Sequence, residues 1–247
     1  AKALQGAWNL AHRQGDPALA QTLGEEGLAL GREAGDKWLI AYSLFQLGIA
    51  AANPDGCERA AALATESLSL AREVGDPWLI SHPLLVLGVV SRDQGDYERA
   101  TELFTESLAL ARETGDRFTI SMRLMNLGIT AQHRGNYEEA AALCRDALNL
   151  CQAPKNQRGI AWCLEALAGV AGAQGRAERA AQLLGAVDGL LESISLGPSL
   201  MPMASHERQV AAARAALGEE AFAAAWAAGR AMPLEAVIHS ALEAAPI

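Results

Sequence analysis

Aromatic residues are scarce in this 247-residue sequence, at 5%, and Val, Ile and Thr are few beside Ala and Leu. Ala and Leu lose little side-chain freedom when they enter a helix, whereas β-branched residues lose more. Hydrophobic residues make up 51% and charged residues 20%, a balance that excludes a disordered chain. The composition therefore predicts an all-α globular fold with a substantial core.

The sequence also lacks a signal peptide and any apolar run long enough to span a bilayer, so no membrane partner is expected. It contains no CxxC pair. Its four cysteines have no histidine at a spacing suitable for zinc. They are Cys57, Cys144, Cys151 and Cys163. We expect them to be small buried hydrophobic side chains in a cytoplasmic protein, with no metal bound.

Positive charge is in deficit, because 20 Lys and Arg face 29 Asp and Glu, a formal net charge of -9. A nucleic-acid-binding surface needs a basic patch that displaces phosphate counterions. Here the arginines alternate with acidic residues, as in Arg32-Glu33 and Glu98-Arg99, which is typical of a solvated helix surface. Direct binding of nucleic acid is therefore not expected.

Catalytic motifs are missing as well. No HExxH or GxSxG occurs, and the series Gly169, Gly172 and Gly175 lacks the lysine of a phosphate-binding loop. Ser205, His206 and Glu207 are consecutive, so on a helix they point in different directions and cannot form a triad. The five histidines are His12, His82, His133, His206 and His239. The sequence predicts no enzyme, no catalytic residues and no cofactor.

What the sequence does contain is a 40-residue repeat. Gly-Asp pairs recur at that spacing, and each is followed by a Leu-Gly pair twelve residues later. The Gly-Asp pairs begin at Gly35, Gly75 and Gly115, and the Leu-Gly pairs begin at Leu47, Leu87 and Leu127. Aligned alanines follow at Ala60, Ala100, Ala140 and Ala180. So many coincidences at one period predict a stack of similar structural units.

Each unit divides into two helices. The aspartates after Gly35, Gly75 and Gly115 suit helix N-caps, and those glycines suit the left-handed position that ends a helix. Further glycines divide the units in the middle: Gly15, Gly56, Gly95, Gly135 and Gly175. The first repeat runs from about residue 2 to 34 and the fifth repeat ends near residue 191. Pro83 lies inside a predicted helix and is expected to kink it or disturb its hydrogen bonding.

Small residues within the helices, such as Gly88 on the first helix of a unit and Ala100 on the second, should let the two backbones approach closely. One such hairpin cannot bury its apolar face alone, so neighbouring hairpins must stack. After residue 191 the pattern changes. Gly197, Pro198 and Pro202 interrupt the chain, and helices are predicted at 205–217, 219–231 and 234–244. We interpret residues 1–193 as the repeat array and residues 194–247 as C-terminal capping helices.

The third repeat of this sequence resembles the tetratricopeptide repeat (TPR) in eight positions: Leu84, Leu87, Gly88, Gly95, Tyr97, Ala100, Phe104 and Leu108. The resemblance implies a right-handed solenoid of about five helical hairpins that binds a ligand. The sequence departs from the usual repeat in its length, about 40 residues instead of about 34, and in the fifth unit, where Ala168 replaces the glycine within the first helix.

The C-terminal segment resembles the end of large bacterial regulators of the STAND class, which are signal-transducing ATPases. The resemblance lies in residues 180–186 and 208–222, Trp226 and Gly229-Arg230. It implies a cytoplasmic, non-catalytic sensor module, and we expect the ATPase and a LuxR-type or other effector domain in sequence that is missing here. The chain opens with Ala-Lys-Ala-Leu and no initiator Met, as expected for a piece of a longer protein. The alternative is a structural scaffold for self-association or constitutive docking of a partner.

In such arrays the first helix of each hairpin lines the concave groove. This family geometry, and not the spacing, places sixteen residues on the predicted wall or, like Arg13, beside it: Tyr42, Phe45, Gln46, Ile49, His82, Leu85, Val86, Val89, Arg92, Met122, Met125, Asn126, Ile129, His133, Trp162 and Glu165. The set is unusually apolar, and Met adapts to varied ligands. The expected partner is a protein or peptide, or a small-molecule effector. Two alternatives stay open: an exposed groove, or a core that curvature or the C-terminal helices bury.

Overall fold

A computed structural model describes residues 2–14, 16–52, 55–152, 156–193 and 203–243. Outside these ranges lie the predicted turn and helix-end residues Gly15, Gly197, Pro198, Pro202 and Ala244, and the side chains of His12 and Arg13 are also not described. The described residues form thirteen α-helices and no strand, which confirms the all-α prediction. The chain divides into two compact units, residues 1–116 and residues 117–247.

The first unit contains three helical hairpins. Its helices are α1 (Lys2–Gln14), α2 (Pro17–Ala34), α3 (Lys37–Ala51), α4 (Cys57–Val74), α5 (Pro77–Asp93) and α6 (Tyr97–Thr114). Each odd-numbered helix packs against the even-numbered helix that follows it, and α3 also packs against α5. The hairpins therefore stack in the order of the sequence.

The second unit contains two further hairpins and the C-terminal helices. Its helices are α7 (Arg117–His133), α8 (Tyr137–Cys151), α9 (Gln157–Ala173), α10 (Ala177–Ser193), α11 (Met203–Leu217), α12 (Glu219–Ala231) and α13 (Leu234–Glu243). Helix α12 packs along α10, α11 contacts both α9 and α10, and α13 contacts α8, α9 and α10. No described helix of either unit is long and apolar enough to cross a bilayer.

Local chemistry explains where the helices begin and end. The Asp36 carboxylate accepts the amide of Leu39 at 3.1 Å, and the Asn156 side chain accepts that of Gly159 at the same distance. Gly35, Gly75 and Gly115 adopt left-handed φ angles of 65°, 75° and 69° at the predicted helix ends. Side-chain caps of this kind contribute about 1 kcal/mol each, so the repeated pairs fix the helix boundaries.

Helix α5 continues through Pro83, which is fully buried. Proline lacks the N–H that would donate to the carbonyl of Leu79. Near this point the Ser81 hydroxyl donates to the carbonyl of Trp78 at 2.8 Å, within the same helix. The helix therefore loses a backbone donor without ending.

Close approach within the hairpins depends on small residues, as predicted. A Cβ placed on Gly88 would lie 2.5 Å from the Phe104 ring, and one on Gly128 would lie 2.6 Å from the Cys144 sulfur. Two buried serines add hydrogen bonds between paired helices, since Ser67 donates to the carbonyl of Ala41 and Ser107 to that of Ser81, both at 2.6 Å. Buried hydroxyls need such partners because an unsatisfied one costs free energy.

Cys144, Cys151 and Cys163 are buried and Cys57 is half-buried, which confirms that most of the cysteines serve as small core side chains. Burial raises the pKa of Cys144 to about 12. A hydrogen bond from the Cys163 thiol lowers the pKa of Cys151 to about 7, and Cys151 lies 3.2 Å from the Ser121 hydroxyl. Within the described ranges no three His, Cys, Asp or Glu side chains are grouped so that they could hold a metal ion.

Candidate binding surface

The first unit carries a cluster of aromatic side chains on α3 and α5. The rings of Trp38 and Trp78, one repeat apart, are parallel within 4°, with centroids 5.9 Å apart. Tyr42 stacks on both tryptophans, at 5.2 and 5.6 Å. His82 lies 4.1 Å from the Trp78 ring and 4.8 Å from Phe45. We call these five residues the aromatic cluster.

The repeat positions this cluster. Trp38 and Trp78 occupy the second residue of α3 and α5, and the stacking of α3 on α5 brings equivalent positions side by side. The Trp38 indole donates a hydrogen bond of 2.9 Å to the Asp76 carboxylate. The other oxygen of that carboxylate accepts the Trp78 amide at 2.9 Å, so one side chain both caps α5 and anchors Trp38.

The predicted wall is partly core in the first unit. Tyr42, Phe45, Gln46 and Val86 are buried, and burial raises the pKa of the Tyr42 hydroxyl. The remaining members of the wall in this unit are half-buried: Ile49, His82, Leu85, Val89 and Arg92. Trp38 and Trp78 are also half-buried. The surface available to a partner is therefore the outer edge of α5 and the two indoles, while Tyr42, Phe45 and Gln46 support it from behind.

The second unit divides in a similar way. Met125, Asn126 and Glu165 are buried. Met122, Ile129 and Trp162 are half-buried, and His133 is exposed. Asn126 donates its amide to the carbonyl of Met122 at 2.8 Å, a bond within its own helix. The guanidinium of Arg158 lies over the Trp162 ring at 4.3 Å, a cation–π contact.

Glu165 is covered by a residue of the C-terminal helices. Its side chain is 9% exposed and one carboxyl oxygen lies 3.8 Å from Nδ1 of His206 on α11. Burial raises the pKa of Glu165 to about 7. Glu165 is therefore not exposed in a groove, because a C-terminal helix covers it.

The chemistry available on the first unit is apolar recognition. In α3 the only charged residue is Lys37, at the start of the helix. In α5 the only charged residues are Arg92 and Asp93, at its end. Aromatic faces favour apolar and aromatic partners and provide large contact areas. The arrangement suits binding of an uncharged segment by shape and stacking.

Trp38 and Trp78 belong to this surface but are missing from the predicted wall. In the sequence they mark the repeat, because aromatic residues recur at 38, 78 and 118. Each tryptophan lies four residues before a residue of the predicted wall, Tyr42 or His82, and therefore on the same helix face. That spacing is the signal by which the two tryptophans could be added to the predicted wall.

The architecture and the repeat together define an α-solenoid of helical hairpins. Two models of the tetratricopeptide repeat match the sequence, over residues 84–118 and 118–186. A model of anaphase-promoting complex subunit 5 matches residues 5–87. No curated protein sequence is significantly similar to this chain. The chain thus carries tetratricopeptide repeats, which imply a protein-binding or scaffold module and are typical of non-catalytic proteins.

Solved structures show the same fold. BtubC from P. vanneervenii is similar with a TM-score of 0.61 at 17% identity, over 99% of this chain and 94% of that chain. A putative kinesin light chain with nearly identical TPR-like repeats from Podosopora anserina, and a variant of it, are similar with TM-scores of 0.52 and 0.53. They are 15% identical over 78% of this chain and 95% of theirs. At these identities the likeness concerns the fold alone.

Proposed function

We propose that the chain is the non-catalytic sensor module of a larger bacterial signal-transducing ATPase or LuxR-type transcriptional regulator, and that it works in the cytoplasm. Its partner is a protein or peptide segment, or a small-molecule effector, and not nucleic acid. The observation that carries the binding role is the aromatic cluster on α3 and α5, whose charged residues lie only at the helix ends. The net charge of -9 supports the exclusion of nucleic acid.

The regulatory context rests on the resemblance of the C-terminal segment to STAND-class proteins. A sensor module changes the state of an attached ATPase only if its ligand binds one state more tightly than the other. A reading frame that joins this module to a nucleotide-binding domain with a phosphate-binding loop would support the context. A frame that encodes the repeats without such a domain would contradict it.

The binding role predicts which peptides the purified chain selects from a random displayed library. Because the accessible part of α5 carries no charge before Arg92, we expect enriched peptides to be apolar or aromatic. Leu85→Lys places a charge on that half-buried surface and should weaken binding at least about tenfold, on the order of 1.4 kcal/mol or more. The measurement is the dissociation constant of a selected peptide, obtained by titration calorimetry.

The matched control is Thr105→Lys, which adds the same charge at an exposed position of α6 and should leave the affinity unchanged. His82→Ala and Met125→Ala extend the test to each unit. Selected peptides that bind equally well to Leu85→Lys, His82→Ala and Met125→Ala, with all variants folded by circular dichroism, would rule out the predicted wall as the site.

A second candidate function is a scaffold that mediates self-association. Leu10, Leu19 and Leu30 on the first hairpin are 57%, 44% and 48% exposed. Leu19 stands where the following hairpins have Arg59 and Arg99, so an apolar residue replaces a charged one. Sedimentation equilibrium without ligand distinguishes the two functions. Association that Leu19→Arg abolishes favours the scaffold, and a monomer at all concentrations favours the sensor.

A further inference from the structure

A polar cluster lies between the last hairpin and the C-terminal helices, outside the aromatic cluster. It consists of Glu165 on α9, Asp188 on α10, and His206 and Gln209 on α11. The atoms Oε1 of Glu165, Nδ1 of His206 and Oε1 of Gln209 are buried and have no hydrogen-bond partner among the described residues. Buried polar groups are normally paired, so three such atoms without partners on α9 and α11 require an explanation.

Glu165 and His206 lie close enough for a small movement to form a hydrogen bond between them. Oε1 of Glu165 lies 3.8 Å from Nδ1 of His206, and Nε2 of the same ring lies 3.9 Å from the Asp188 carboxylate. The two side chains are 9% and 14% exposed. A small movement would let a protonated Glu165 donate to Nδ1, while Nε2–H points toward Asp188.

We propose that the contact between Glu165 and His206 is a proton-controlled latch that holds α11 against α9. When Glu165 is protonated, the carboxyl group donates to the neutral imidazole and both buried groups are satisfied. When Glu165 is ionised, a carboxylate without a counterion faces the imidazole, and hydration of that charge requires α11 to move away. The latch is independent of the proposed peptide binding.

The surrounding charges are compatible with this behaviour. Asp188 and Glu207 favour a charged His206, but burial has the larger effect and lowers the pKa of the ring. The Arg230 guanidinium of α12 lies 3.9 Å from the Asp188 carboxylate and forms an ion pair with it. Burial is the cause of the raised pKa of Glu165. Charges on α9 and on the other helices packed against it include Arg158 over Trp162, buried Arg123, half-buried Arg145 and Arg179, and the exposed Glu178, Glu192, Glu235, His239 and Glu243.

The two groups impose opposite pH dependences on the docking of α11. The pKa of Glu165 is about 7 when buried, against 4.5 for a free carboxyl, so its contribution to docking is present at low pH and is lost as pH rises to about 7. The pKa of His206 is lowered, so its contribution is lost as pH falls below the free value of 6.5. The two contributions therefore offset each other below pH 6.5, and docking should weaken between pH 6.5 and about 7, where only the Glu165 contribution still changes.

Hydrogen exchange of the α11 amides between pH 5 and 8, corrected for intrinsic exchange rates, tests the latch on the whole chain. His206→Gln leaves only the carboxyl, and protection of α11 should then be roughly 50-fold higher at pH 5 than at pH 7.5, from the two pKa values of Glu165. Glu165→Gln leaves only the histidine, and protection should instead decrease on acidification. The unaltered chain should follow a profile between these two trends.

Glu178→Gln, which removes an exposed carboxylate of α10, is the control and should keep the profile of the unaltered chain. Amides of α12 provide an internal control for global unfolding. Identical pH profiles in Glu165→Gln, His206→Gln and the unaltered chain would overturn the proposal. So would loss of α11 protection at every pH in Glu165→Gln, because an uncharged isostere should preserve the docked state.

Discussion

Alanine at Gly229 is expected to lower the free energy of unfolding by about 3 kcal/mol, at the upper end of the cost of overpacking a core. Gly229 on α12 faces the backbone carbonyl of Gln182 on α10, and Gly185 on α10 faces that of Trp226 in return. A Cβ at either position would overlap backbone atoms, which cannot turn aside as a flexible side chain can. The methyl group should therefore separate α12 from α10.

Urea unfolding followed by circular dichroism, together with hydrogen exchange of the α12 amides, measures this effect. Gly172→Ala is the matched control, since its nearest neighbour would be the Ala180 Cβ at an ordinary 3.8 Å. That change should stabilise the chain by up to about 1 kcal/mol through helix propensity. Equal stability of the Gly229 and Gly172 variants would show that α12 does not rely on close backbone contact.

The contrast between these glycines indicates what the sequence could and could not predict about the fold. Helix ends were predictable because Gly35, Asp36 and their repeats act within a few residues, through local dihedral angles and caps. The close contact of α10 with α12 was not, because Gly185 and Gly229 are 44 residues apart and nothing in their own neighbourhoods pairs them. The predicted limits of the repeat array and the capping helices, at residues 193 and 194, stay a prediction.

The candidate site was predictable to a similar degree. Periodicity could identify the helices that carry Tyr42 and His82, but exposure depends on which neighbours cover each residue, and that is a property of the packed hairpins. Glu165 illustrates the point, since the sequence leaves open whether this residue lines a groove or lies in the core, and in the structure His206 from another helix covers it. The pair is 41 residues apart, so no spacing rule could have joined it. The wall itself stays a proposal.

Asp76→Ala is expected to destabilise the first unit by about 3 kcal/mol, because this carboxylate has two tasks. One oxygen caps α5 through the amides of Trp78 and Leu79, and the other accepts the Trp38 indole at 2.9 Å. Loss of a cap costs about 1 kcal/mol, and loss of a hydrogen bond to a charged group costs about 1.5–3 kcal/mol.

Asp96→Ala is the matched comparison, since Asp96 caps α6 through the Arg99 amide and its loss should cost only about 1 kcal/mol. Trp38→Phe in each background completes a double-mutant cycle, measured by urea unfolding. The coupling between Trp38 and Asp76 should exceed about 1 kcal/mol and that between Trp38 and Asp96 should vanish. Equal losses for the two aspartates would mean that the indole bond adds nothing to stability, and that the aromatic cluster is held by ring packing alone.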